Sequence, residues 1–214
     1  MKRHAGRPCS ARTCVAMKLL CIALGLGLGF SGLGTKAQIA ANSKAVQRTF
    51  VSRDGSFRFK YPDWLIVCGK NTPKEACLTY MPICDDNAAA CVTYATARYE
   101  GYNFEGAAFS VNELPQARTQ SECVGLMPPP VHTESVNGVE FSASHQSSAG
   151  MGHGLSEHSY RTFHRGKCYE LAIRIATASL GGYLPGAIKE FTREDEQAVW
   201  ENLEKVMSSF TFSK

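Results

Sequence analysis

The segment Lys167-Cys168-Tyr169-Glu170-Leu171-Ala172-Ile173-Arg174-Ile175-Ala176 decides the fold. Tyr169, Leu171, Ile173 and Ile175 recur every second residue, opposite Cys168, Glu170 and Arg174. A period of two is the signature of a strand with one face on a core. Just before it, Arg165-Gly166 joins the segment to Ser159–His164, which makes the pair a hairpin. A second hairpin signal, Asn137-Gly138, precedes the alternating Val139-Glu140-Phe141-Ser142-Ala143. Strands that follow one another through tight turns make an antiparallel sheet.

Towards the N-terminus, Asp54-Gly55 introduces Ser56-Phe57-Arg58-Phe59-Lys60-Tyr61, with three aromatics on one face and a stop at Pro62. Further strands are expected at 64–68, 92–97 and 107–114, with a turn over 103–106. Residues 115–135, which contain Pro128-Pro129-Pro130, read as an irregular connection with a helical turn near 116–122. The Gly/Ser-rich stretch 146–154 reads as a mobile loop. Towards the C-terminus, Thr192 is placed as a helix N-cap, with Glu194, Asp195 and Glu196 at the positive end of the helix dipole. Val199, Leu203, Val206 and Phe210 form the apolar stripe of that helix, and Trp200 and Met207 widen it. Phe210-Thr211-Phe212 closes the chain as a short strand. The expected class is α+β, an antiparallel sheet with the C-terminal helix packed on it.

The 214 residues carry a net charge of +4. Residues 1–37 hold six cations and no acid, which leaves 17 basic against 19 acidic residues in the body. A near-neutral body lacks the electrostatic footprint of a nucleic-acid binder. Lys18, the apolar run 19–34 and the small residues Thr35 and Ala37 form a secretory signal pattern over 1–37, with Met17 as an alternative start. Five glycines in sixteen residues make that run a poor membrane span, so no stable span is expected after cleavage. Residues 38–49 read as a polar lead-in to a single domain over 50–214. Gly27–Gly32 matches G-x-G-x-x-G, but it lacks the following helix and acid-ended strand that dinucleotide binding requires.

The body holds six cysteines, Cys68, Cys77, Cys84, Cys91, Cys123 and Cys168, with no C-x-x-C pair among them. An even number in an exported chain points to three disulfides, and to a secreted or periplasmic location. Cys68–Cys77 and Cys84–Cys91 would each close a short loop rich in turn formers, which leaves Cys123 for Cys168. Pairing Cys68 with Cys91 and Cys77 with Cys84 is the alternative.

The opening SFRFKYPDW (56–64) and a helix followed by SFTF (209–212) resemble the PsbP-like fold. That fold is an α/β/α sandwich found in the extrinsic P subunit of photosystem II. Segments 101–109, 160–164 and 168–171 also resemble an uncharacterised family of exported bacterial proteins. The resemblance spans residues 50–212 and implies a non-catalytic binding or assembly subunit of bacterial origin. The six cysteines depart from the photosystem subunit, so no photosynthetic role is implied.

His145, His153, His158 and His164 crowd twenty residues beside Glu157, Tyr160 and Arg161. His153, His158, Tyr160, Arg161 and His164 are the candidate binding residues. On a strand, His158 and His164 share parity and face the same way. Their spacing fits no H-E-x-x-H pair, and no G-x-S-x-G elbow or calcium loop occurs. Neither a catalytic residue, a metal ligand set nor a cofactor is therefore assigned. Asp85-Asp86 reads as a solvated turn, and Tyr99, Tyr102 and Phe104 read as core rather than as an aromatic binding surface. The leading expectation is an exported binding or assembly module for a protein or small-molecule ligand. Its rivals are a secreted metal-dependent hydrolase using His153–His164 and a structural envelope protein.

Overall fold

The computed structural model describes residues 45–69, 72, 77 and 79–213. The leader over 1–37, with its glycine motif, lies outside them. The described strands are β1 (Gln47–Val51), β2 (Phe57–Pro62), β3 (Leu65–Val67), β4 (Ala90–Tyr94), β5 (Phe104–Glu113), β6 (His132–Val136), β7 (Val139–Gly150), β8 (His153–His164), β9 (Lys167–Ala178) and β10 (Thr211–Phe212). The helices are α1 (Gln120–Gly125) and α2 (Arg193–Met207). Seven strands form one antiparallel sheet in the order β3-β4-β5-β9-β8-β7-β6, and β1-β2-β10 form a smaller one. The strand that decided the reading, β9, is the central strand of the larger sheet. Strand β1 begins at Gln47, inside the stretch expected to be a polar lead-in.

The segment 146–154 is not a loop. Strands β7 and β8 run twelve residues each and pair from Ser142↔Arg161 out to Gly150↔His153. Their connection is Met151-Gly152, with φ of 53° and 84°. That is the same left-handed two-residue turn as Asn137-Gly138 and Arg165-Gly166. Side-chain composition misleads here because the ladder is made by the backbone. Strand β8 is held on both sides, by β7 and β9, so small residues such as Ser156 need supply no packing of their own. The expected helical turn near 116–122 lies four residues later, as α1, where Thr119 accepts the Glu122 backbone N–H.

One face of the large sheet, the helix face, buries Val92, Phe109, Val111, Leu171, Ile173 and Ile175. Against them lie Val199, Leu203 and Val206 of α2, with Phe57 and Phe59 from β2. Each such side chain stabilises the fold by about 1.5–3 kcal/mol relative to exposure. Thr192 caps α2 in a capping box with Asp195: the hydroxyl accepts the Asp195 N–H at 3.2 Å, and the carboxylate accepts the Thr192 N–H at 3.0 Å. The helix stops at Met207. Phe210 is buried beyond its end, its ring stacked 5.5 Å from that of Phe57. Tyr99, Phe104 and Phe191 pack together in the same core, with ring centroids 4.8–4.9 Å apart.

The opposite face is covered by α1 and by residues 79–89 ahead of β4, so that α1 and α2 lie on opposite faces of the sheet. Three disulfides hold this cover down: Cys68–Cys77, Cys84–Cys91 and Cys123–Cys168. The last fixes α1 to the start of β9 across 45 residues. Gly106 of β5 lies so close beneath the covering loop that a Cβ there would sit 2.6 Å from the Thr79 side chain and 2.9 Å from Ile83. Only glycine leaves room for that approach.

Candidate functional site

The strand pairing divides the five candidate residues between two faces. On β8, His158, Tyr160 and His164 lie on the helix face, opposite Ile173, Leu171 and Lys167. His153 and Arg161 have the other parity and point to the loop face. His153 stacks on Tyr80 at 3.8 Å, and its Nδ1 lies 2.7 Å from Glu105 Oε1. Arg161 donates from Nε to Glu170 Oε2 at 2.7 Å. Shared parity does not bring His158 and His164 together either, since six strand residues separate them by about 20 Å. His164 stacks instead on Phe212 at 4.0 Å, and burial together with Arg165 lowers its pKa.

On the loop face, Arg161 belongs to a network of buried charges. Glu170, only 4% exposed, accepts from Arg161 and from Asn112 Nδ2 at 3.2 Å, and lies 3.7 Å from Arg174. Arg174 also donates to Glu157 at 2.5 Å and to Asp85 at 3.0 Å. Asp85 is therefore no mere solvated turn residue: it ties the disulfide-bonded loop to the sheet. Two arginines facing three carboxylates across the sheet and the covering loop form a structural tie.

The helix face carries a different cluster at its open end. His145 of β7 and His158 of β8 are register partners, and their rings stack at 3.7 Å. The other side of the His158 ring stacks on Trp200 of α2 at 4.0 Å. His132 of β6 meets His145 edge-on at 5.2 Å, and Glu134, two residues along, reaches both. Its Oε1 lies 2.6 Å from His132 Nε2 and 3.7 Å from His145 Nε2. Tyr160, with its ring 6.2 Å from His145, is buried, and that burial raises its phenol pKa well above the ordinary value. Gln146, Ser147, Ser156 and Glu196 join the His145–His158–Trp200 stack in walling a shallow depression of about 270 Å³.

His158 sits between two rings, and burial, helped by the neighbouring His145, pushes its pKa down to about 4. It is a neutral imidazole at physiological pH, and its buried Nδ1 has no hydrogen-bond partner. Imidazoles, an indole and a carboxylate together suit recognition of metal ions, aromatic groups or hydrogen-bond donors.

Sequence reading found His145 and His158 but assigned Trp200 to the helix core and passed over His132 and Glu134. The signal was present. The Asn137-Gly138 turn fixes Val136 opposite Val139, and hence His132 opposite Ala143, one pleat from His145. Counting back from that turn puts His132, Glu134 and His145 on one face.

No family model matches the chain, and no curated protein matches it. Among solved structures it is similar to a Bacteroides thetaiotaomicron protein, at 10% identity and a TM-score of 0.44 over 78% of this chain. The chain spans about half (48%) of the length of that protein. It is also similar to LpqN, a Mycobacterium tuberculosis protein involved in cell envelope biogenesis (8% identity, TM-score 0.41, 80% of this chain and 92% of that one). A third similarity is to CyanoP, the cyanobacterial PsbP of Synechocystis (12% identity, TM-score 0.34, 84% of this chain and all of that one). Among the described residues, no helix is long and apolar enough to cross a membrane.

Proposed function

We propose that the protein is an exported, non-catalytic binding or assembly module, and that its binding surface is the imidazole–indole cluster at the open end of the helix face. One observation carries this reading. His145, His158 and Trp200, from two strands and a helix, line a shallow, accessible depression, and His132 and Glu134 of a third strand lie against His145. Export is supported by the leader pattern and by three disulfides, which persist in oxidising compartments. The hydrolase reading loses its basis, because His153 lies on the opposite sheet face from His158 and His164.

Site-specific photocrosslinking in a bacterial envelope extract tests the proposal. A photoreactive residue at Ser147, on the same face as His145 and His158, is compared with one at Arg118, exposed on the other side. The expected result is a discrete adduct from position 147 that disappears in Trp200→Ala and has no counterpart at 118. Equal labelling from the two positions would overturn the assignment and favour a structural envelope role.

A further inference from the structure

We propose that His132, Glu134 and His145 form a binding site for a divalent transition-metal ion of the zinc class. This rests on the reading of the helix face as a binding surface and names a ligand for it. The three potential donor atoms, His132 Nε2, Glu134 Oε1 and His145 Nε2, all lie within 4.8 Å of one another. In a tetrahedral zinc site with bonds of about 2.0–2.2 Å, neighbouring donor atoms are about 3.4 Å apart. The two distances to Glu134 Oε1, 2.6 and 3.7 Å, fall on either side of that value. Small side-chain rotations therefore suffice to seat an ion, and the backbone need not move.

The local structure explains why the site is held ready. His132 and Glu134 are i and i+2 on β6, so the pleat sends both to the same face. His145 arrives from the adjoining strand, in a register set by the Asn137-Gly138 turn. Its ring orientation is set by stacking on His158, which Trp200 backs in turn. His158 is thus a positioning residue rather than a ligand, as its ring lies parallel to that of His145. Two imidazoles and one carboxylate suit zinc, copper, nickel or iron(II) rather than calcium or magnesium, which prefer all-oxygen sites. With His132 and His145 side chains 48% and 42% exposed, the remaining coordination positions face solvent and are open to water or to a donor from a partner.

Zinc titration of the purified disulfide-bonded protein, followed by calorimetry and by ¹⁵N imidazole spectra, tests the proposal. The expected result is one zinc per chain, with His132 and His145 resonances perturbed and His153 and His164 unmoved. Loss of an outer-shell partner typically costs 10–100-fold in metal affinity. His132→Ala, Glu134→Gln and His145→Ala, which remove ligands, should each weaken binding about 100-fold or more, while His164→Gln leaves it unchanged. All four are surface changes, and retained near-ultraviolet circular dichroism establishes that each variant is folded. No binding by the native chain, or a loss below tenfold in any of the three ligand variants, would overturn the site. If zinc fails while the Trp200-dependent crosslink from position 147 persists, the metal proposal falls and the binding surface stands. Loss of that crosslink with zinc binding intact would show the converse.

Discussion

The two faces of the large sheet bury polar chemistry in opposite ways. On the loop face, Glu170, Arg161, Arg174, Glu157 and Asp85 are locked to one another beneath a disulfide-bonded cover. On the helix face, His145 stacks on His158 and His158 on the buried Trp200, with only single polar contacts from Glu134 and Glu196, and the two imidazoles stay open to solvent at one end. The two sets meet in β8, where alternation sends Glu157 and Arg161 to one face and His158 to the other. The difference teaches that polarity under a rigid cover serves the architecture, whereas polarity at an open edge is free to meet a ligand.

The largest expected effect breaks the loop face. Glu170→Ala leaves Arg161 and Arg174 without their shared buried carboxylate, and should cost about 3–5 kcal/mol in denaturant unfolding. A loss under about 1 kcal/mol would mean that water already reaches the network. Next, Cys123→Ser with Cys168→Ser opens the 45-residue loop and should cost about 4 kcal/mol on the chain-entropy model. Opening Cys84–Cys91 should cost about 2–3 kcal/mol on the same model. On the helix face, Leu203→Ala at a fully buried site should cost about 2–5 kcal/mol, and Glu201→Ala on the exposed side of α2 under about 0.5 kcal/mol. Equal losses from those two would mean that the buried stripe is misassigned.

A smaller effect concerns acid. Hydrogen bonds from the Ser56 side chain and backbone and from Ser52 hold the Asp54 carboxyl well below its usual value of 3.8, with desolvation opposing and Lys167 adding slightly. A pKa lowered in the folded state stabilises the fold at neutral pH, and that contribution is lost as pH falls through 3.8 and below. Asp54→Asn should therefore flatten the fall of Tm between about pH 5 and pH 3. An unchanged acid limb would show that the turn titrates as it does in the unfolded chain.

The fold was legible wherever alternation and turn chemistry agreed. Tyr169-to-Ile175 gave the central strand, Asn137-Gly138 and Arg165-Gly166 gave two hairpins, and Thr192 with the Val199–Leu203–Val206 stripe gave α2. The reading of Gln146–Gly154 failed because serine and glycine carry weak strand preference, while backbone pairing on both sides of β8 overrode it. Cysteine pairing followed from loop length because the turn formers 69–73 and 85–87 let the chain reverse cheaply. The candidate site was legible only in part. Local density favoured His153 and His164, but strand parity and a separation of about 20 Å take them elsewhere. His132, Glu134 and Trp200 join His145 and His158 through tertiary contacts that no single stretch of sequence displays.

The central claim is that the imidazole–indole stack is a surface for contact and not a strut of the fold. Its most direct test is denaturant unfolding of the His145→Ala/His158→Ala double variant, measured beside Glu170→Ala. The account predicts a loss of at most about 1 kcal/mol for the histidine pair, because His145 is exposed and His158 only half-buried. A loss matching the 3–5 kcal/mol expected for the buried carboxylate would contradict it and make the stack structural packing.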